Sequence, residues 1–195
     1  MFRSAKNIIK NENISMFDED FEERYDVEQY CWTKDTIKRL LKSLEFIENC
    51  CCLTTPSLGK GFFNIGRNEV VLDIDTRFSY LPKYRYFDIK NPIEQKETFE
   101  ILIVDPPFFY LSMEQIFNAV LTVTKHNFNT KLLIGFLKRE EKTLLKTFKK
   151  FNIKETNFKL EYTTAKPEKW KNYALYSNID LPNIKRIPGK YGFKK

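Results

Sequence analysis

Apolar and polar residues follow two rhythms along this chain, and their order predicts a layered α/β body. After Thr33, the residues Ile37, Leu40, Leu41, Leu44 and Ile47 recur at three- and four-residue spacing. That is one buried face of a helix, with Thr33 placed to cap its start. Short apolar runs follow at 50–53, 70–75, 84–87, 99–104 and 132–136, bounded by polar turns. Runs of this kind read as parallel strands buried on both faces. Helical patterns at about 112–126 and 139–151 alternate with the later runs. Such alternation predicts an α/β sheet with helices on both faces. Residues 157–163 and 172–177 can add a terminal pair of strands, and hairpin pairing there makes the sheet mixed. Residues 1 to about 25 show no sustained period and read as a tail or loosely docked arm.

Composition narrows this picture. At 195 residues, 42% hydrophobic and 15% aromatic, the chain can bury one substantial core. One domain over 26–180 is expected, with a basic tail at 181–195. No stretch approaches the roughly 20 apolar residues of a membrane span, and no apolar signal region follows Met1, so a cytoplasmic protein is expected. Cys31, Cys50, Cys51 and Cys52 have no Cys-x-x-Cys spacing and read as buried, reduced thiols. His126 is the single histidine, so the ligands of an ordinary zinc site are missing and no metal is expected.

The net charge of +7 is uneven: Asp18 to Glu28 approach the first helix as an acidic run, whereas Lys166, Lys169, Lys171, Lys185, Arg186 and Lys190 make the C-terminal end basic. That end suits RNA or an acidic protein face, and a lysine-rich genome accounts for it equally well.

The candidate chemistry lies just beyond the strands, where open α/β sheets bind their ligands. Asp75 ends the second run, where a carboxylate can take both hydroxyls of a ribose; Asp88 follows the third. Asp105 ends the fourth and leads into Pro106-Pro107-Phe108. Two prolines fix two φ angles and remove two backbone donors, so this loop is stiff and its carbonyls remain acceptors. The Asp105 carboxylate and Pro106 carbonyl can hold the two hydrogens of one amine, aiming its lone pair at a methyl donor. Phe108 can offer its face to a planar base or to a lysine. A methyl sulfonium is already activated, so alignment, desolvation and a proton acceptor suffice. The bland reading of the same residues is an Asp-Pro-Pro turn closing a strand.

These blocks together resemble the adenine-amine methyltransferase family that includes the elongation factor 1-alpha lysine methyltransferases and the zinc-finger ribosomal RNA adenine methyltransferases. The resemblance runs from about residue 20 to 180 through Gln29-Tyr30-Cys31-Trp32-Thr33, Leu72-Asp73-Ile74-Asp75-Thr76-Arg77-Phe78, Tyr86-Phe87-Asp88-Ile89-Lys90-Asn91-Pro92, Asp105-Pro106-Pro107-Phe108 and Asn172-Tyr173-Ala174-Leu175-Tyr176. It implies a Rossmann-like class I fold, with a mostly parallel seven-stranded sheet whose last strand is antiparallel, and S-adenosyl-L-methionine as cofactor. It also implies a cofactor pocket lined by Gln29, Tyr30, Trp32, Thr33, Thr54, Asp75 and Asp88. Two departures stand out: residues 54–61 contain no Gly-x-Gly, and the zinc modules of the RNA-modifying members are absent.

The compact length and missing zinc modules favour a protein-lysine methyltransferase of elongation factor 1-alpha. An adenine-amine RNA methyltransferase is the alternative, supported by the Leu72–Asp75 and Asn172–Tyr176 blocks and the basic C-terminal end. A catalytically silent subunit that binds RNA or a partner enzyme is the third reading. Trp32 and Trp170 are expected in the core or a lid, and Tyr173, Tyr176 and His126 carry no assigned chemistry.

Overall fold

The computed structural model describes residues 30–188, and within them one seven-stranded sheet organises the chain. The strands are β1 (Cys50–Leu53), β2 (Val70–Asp73), β3 (Tyr84–Tyr86), β4 (Ile101–Val104), β5 (Lys131–Leu137), β6 (Lys154–Glu155) and β7 (Tyr173–Ser177), in the spatial order 3-2-1-4-5-7-6. The first five are parallel, and β7 runs antiparallel to both β5 and β6. This is the class I methyltransferase arrangement that the sequence implied.

Among the described residues four α-helices cover the sheet: α1 (Lys34–Ser43), α2 (Pro56–Asn64), α3 (Met113–Val123) and α4 (Glu141–Thr147). Thr33 caps α1 by accepting the Thr36 N–H, and Ser112 caps α3 in a reciprocal capping box with Gln115. Successive strand residues feed opposite layers. Cys50 and Cys52 pack with α1 and α2, whereas Cys51 and Leu53 pack with the α3 and α4 side. The four cysteines are buried and form no disulfide, and burial raises the Cys50 thiol to about 12, so it acts as a small hydrophobe.

Three regions differ from the sequence reading. The segment after Thr55 is a nine-residue helix in which Gly59 lets α2 lie directly on β2; a Cβ there would come 2.3 Å from Val71 Cγ2. Residues 157–163 do not pair with β7, which lies between β5 and the two-residue β6. Their alternation is real, burying Phe158, Leu160 and Tyr162, but their backbone joins the segment before α1. Thr33 N–H donates to the Glu161 carbonyl and Thr163 N–H to the Cys31 carbonyl.

The chain beyond 180 also stays on the body as far as Ile187. Leu181 and Ile184 are buried, Arg186 pairs with Asp180, and Ile187 N–H donates to the Glu155 carbonyl. The proposed arm at 1–25 and the last basic residues lie outside the described residues. No helix among the described residues is long and apolar enough to cross a membrane.

Candidate active site

The strand order reverses between β1 and β4, and at such a switch point the connections leave on opposite faces and open a crevice at the strands' carboxyl ends. Two cavities meet there. The wider, about 210 Å3, is walled by Tyr30, Phe108, Phe109, Tyr162 and Tyr173, with Thr164 and Ala165 at its rim. The narrower, about 50 Å3, is lined by Tyr30, Cys31, Trp32, Thr54, Asp73, Asp105 and Pro107, among others. Tyr30 borders both.

The loop after β4 forms the partition. Asp105 and Pro107 face the narrow cavity and Phe108 the wide one, while Pro106 is buried. Phe108 is fixed edge-on against Phe136 at 5.2 Å and tilted against Tyr173 at 5.8 Å. Asp105 Oδ1 accepts a 2.9 Å hydrogen bond from the Tyr162 hydroxyl. Burial pushes that hydroxyl well above its ordinary value, with the Asp105 charge adding to the effect, so Tyr162 stays a donor.

The end of β2 carries two carboxylates in different situations. Asp75 is fully buried and committed: it caps the turn at Thr76–Phe78 by accepting the Arg77 N–H, and it holds the Arg77 guanidinium at 2.7 Å. Asp75 is not among the residues lining either cavity. Asp73 is, and its Oδ1 accepts the Asp75 N–H at 2.8 Å. Burial raises the Asp73 carboxyl to about 7, partly offset by that hydrogen bond.

Of the remaining predicted residues, Tyr30, Trp32 and Thr54 line the narrow cavity. Thr54 stands where a glycine often serves, in the left-handed region at φ 54°. The buried Trp32 indole N–H lies near enough to the Tyr162 hydroxyl to favour its charged form, but it reaches no acceptor in hydrogen-bond geometry. Thr33 is occupied as the cap of α1 and as a partner of Glu161. Asp88 closes its own turn on Lys90 N–H and Asn91 Nδ2, away from both cavities. Gln29 lies outside the described residues.

Sequence reasoning left Asp73, Tyr162 and Tyr173 without a role. Asp73 is the first polar residue after the apolar run Val70-Val71-Leu72, and that signal was available. Tyr162 lies 57 positions from Asp105, and no local spacing joins them.

The sheet order, with its reversal between β1 and β4 and its antiparallel β7, defines a class I methyltransferase fold. The model of the family described as "Probable N6-adenine methyltransferase" matches residues 23–181. The chain belongs to that family. No curated protein matches the sequence significantly.

Solved structures share the fold at low identity. A TehB-like SAM-dependent methyltransferase from Corynebacterium glutamicum is 10% identical with a TM-score of 0.51, covering 78% of this chain and 88% of its own. Protein 1320 of Thermoplasma acidophilum is 13% identical with a TM-score of 0.50, covering 84% and 98%. S-adenosylmethionine is the cofactor of this class, and the narrow cavity has suitable groups. Asp73 is a buried carboxylate at its wall, suited to hydroxyl donors, and Trp32 brings an unsatisfied N–H.

Proposed function

We propose that this protein methylates the exocyclic amine of an adenine in RNA, with the base in the wide cavity and S-adenosylmethionine lying in the crevice at the strand ends, against the residues that line the narrow one. The observation that carries this reading is the aromatic cavity set directly against the Asp105–Phe108 loop. Its walls are rings, which suit a planar base. Exposed Lys166, Lys169 and Lys171, opposed by Glu168 alone, follow the rim residues Thr164 and Ala165, and the Arg139 guanidinium lies over the Phe109 ring at 5.4 Å. Lysines and arginines beside a stacking surface are what a nucleic-acid backbone requires.

The chain's own residues then have defined work. Asp73 takes the ribose hydroxyls of the cofactor, in place of the role expected for Asp75. Tyr30, Trp32 and Thr54 wall the rest of that slot. When bound, S-adenosylmethionine supplies a methyl group already activated by its sulfonium charge. Phe108 and Tyr173 hold the base; Asp105 accepts one amine hydrogen and the Pro106 carbonyl the other, directing the nitrogen lone pair toward the methyl carbon. Asp105 also stabilises the positive charge that develops on nitrogen until its proton passes to water.

The lysine reading rests on the same rings, because an aromatic box also receives a cationic stem. Elongation factor 1-alpha is its substrate to test. Extract lacking this protein, supplied with purified protein and labelled cofactor, should gain label in the RNA fraction. Label confined to elongation factor would replace the adenine reading with the lysine one.

A further inference from the structure

We propose that Tyr162 is a positioning residue for methyl transfer, whose buried hydroxyl holds the Asp105 carboxylate in the orientation that accepts the acceptor amine. The proposal rests on the amine-methyltransferase reading of the site and adds a residue from a distant segment to it.

A phenol buried to 1% exposure must have a hydrogen-bond partner, and almost any carbonyl would satisfy it. Here the acceptor is the acid of the partition loop, at 2.9 Å. Three separate parts of the chain enforce the pairing. On β5, Gly135 leaves the space that Oδ1 fills; a Cβ there would lie 2.4 Å from that oxygen and 3.1 Å from Leu160 Cδ1. The segment that carries Tyr162 is tied down by Trp170, whose Nε1–H is shared between the Tyr162 carbonyl at 3.1 Å and the Ala165 carbonyl at 2.9 Å. Tyr162 also bridges to Trp32 across the backbone bonds that join residues 31–33 to 161–163, so it is fixed to the wall of the narrow cavity.

The same ring lines the wide cavity and packs on Tyr173 at 4.6 Å. One side chain therefore touches both the acceptor space and the acid that serves it. A donor held on Oδ1 favours the ionised carboxylate and stops it rotating about its terminal bond. Preorganisation of this kind matters because small misalignments of a reacting pair are costly. The Tyr162 hydroxyl faces this carboxyl, and Asp73 lines the same narrow cavity.

The test is Tyr162→Phe in the full chain, which keeps the ring and removes only the hydroxyl. Affinity for S-adenosylhomocysteine should stay within about twofold, while kcat on the RNA substrate falls by about 10- to 100-fold. In carboxyl-labelled protein the Asp105 resonance should titrate higher in the variant than in the parent, because the donor that favours the ionised form is gone, and this readout needs no turnover. In an Asp105→Asn background the same substitution should add little further loss, since the tyrosine acts through the acid. Gly135→Ala, which intrudes on Oδ1 from the other side, should reproduce the pattern, and it substitutes for Tyr162→Phe should that variant not fold. An unmoved Asp105 titration, or a kcat within twofold of the parent, overturns the proposal. Failure of the parent protein to transfer methyl to any amine would instead overturn the function on which it rests.

Discussion

The two cavities differ in what they ask of the protein. The narrow one is built from strand ends, with Thr54 and Asp73 following directly on β1 and within β2, and its one ring of the core is Trp32. The wide one is built from rings brought in by distant segments, with Phe108, Tyr162 and Tyr173 spread over 65 residues of chain. A cofactor of fixed shape needs a few placed polar groups, and the sheet supplies them. An acceptor must be gripped, dried and aimed, and loops supply that. Tyr30 borders both cavities and Asp105 stands at the partition on the narrow side, so damage to either side should have a distinct signature.

The largest expected effect is at the partition itself. Asp105→Ala should lower kcat by at least about 100-fold while S-adenosylhomocysteine affinity, measured by calorimetry, changes by no more than a few-fold. Comparable losses in both would show that Asp105 belongs to the cofactor side and that the division between cavities is misplaced.

Next comes the pair at the end of β2. Asp73→Ala should weaken cofactor binding by about 10- to 100-fold, the worth of a charge-assisted hydrogen bond, with kcat recovering at saturating cofactor. Asp75→Ala should instead lower stability by about 1–3 kcal/mol in urea unfolding, because it strips the Arg77 partner and a turn cap. The reverse pattern would return the ribose to Asp75.

The smallest effect is a pH dependence that sharpens the same point. The Asp73 carboxyl is raised to about 7 in the folded chain, so between its unfolded value and pH 7 the folded state holds the extra proton. Stability contributed by that proton is full below the unfolded pKa and is lost as pH rises toward 7. Ribose hydroxyls are better accepted by the ionised form, so S-adenosylhomocysteine affinity should rise from pH 6 to pH 8, by at most about tenfold per unit below the pKa. Asp73→Asn should flatten that rise, and an unchanged slope in the variant would assign it to another group.

The legibility of the sequence follows the same division. Strands β1, β2, β4 and β5 were readable because each is an unbroken apolar run, and α1 because its buried positions keep helical spacing. Helix α2 was not, since Gly59 and Gly61 within nine residues argue against a helix by propensity; close packing on Val71 overrides that. Residues 157–163 read as half of a terminal strand pair; their period of two does bury Phe158, Leu160 and Tyr162, but it reports side-chain direction alone and not the partner. At β2, Ile74 made the apolar run look two residues longer than the strand and moved attention from Asp73 to Asp75. The loop 105–108 announced itself through its two prolines, whereas its tyrosine partner exists only once the chain has folded.

The central claim is that the wide cavity delivers an adenine amine to the methyl group across Asp105. Purified protein, labelled S-adenosylmethionine and ribosomal RNA should yield N6-methyladenosine on digestion to nucleosides. At saturating cofactor the rate should be nearly flat above neutral pH, since the amine is neutral throughout, and binding should fall steeply with salt. Label on a folded elongation factor 1-alpha and none on RNA, with a log rate climbing toward the lysine pKa of about 10.4, would contradict it.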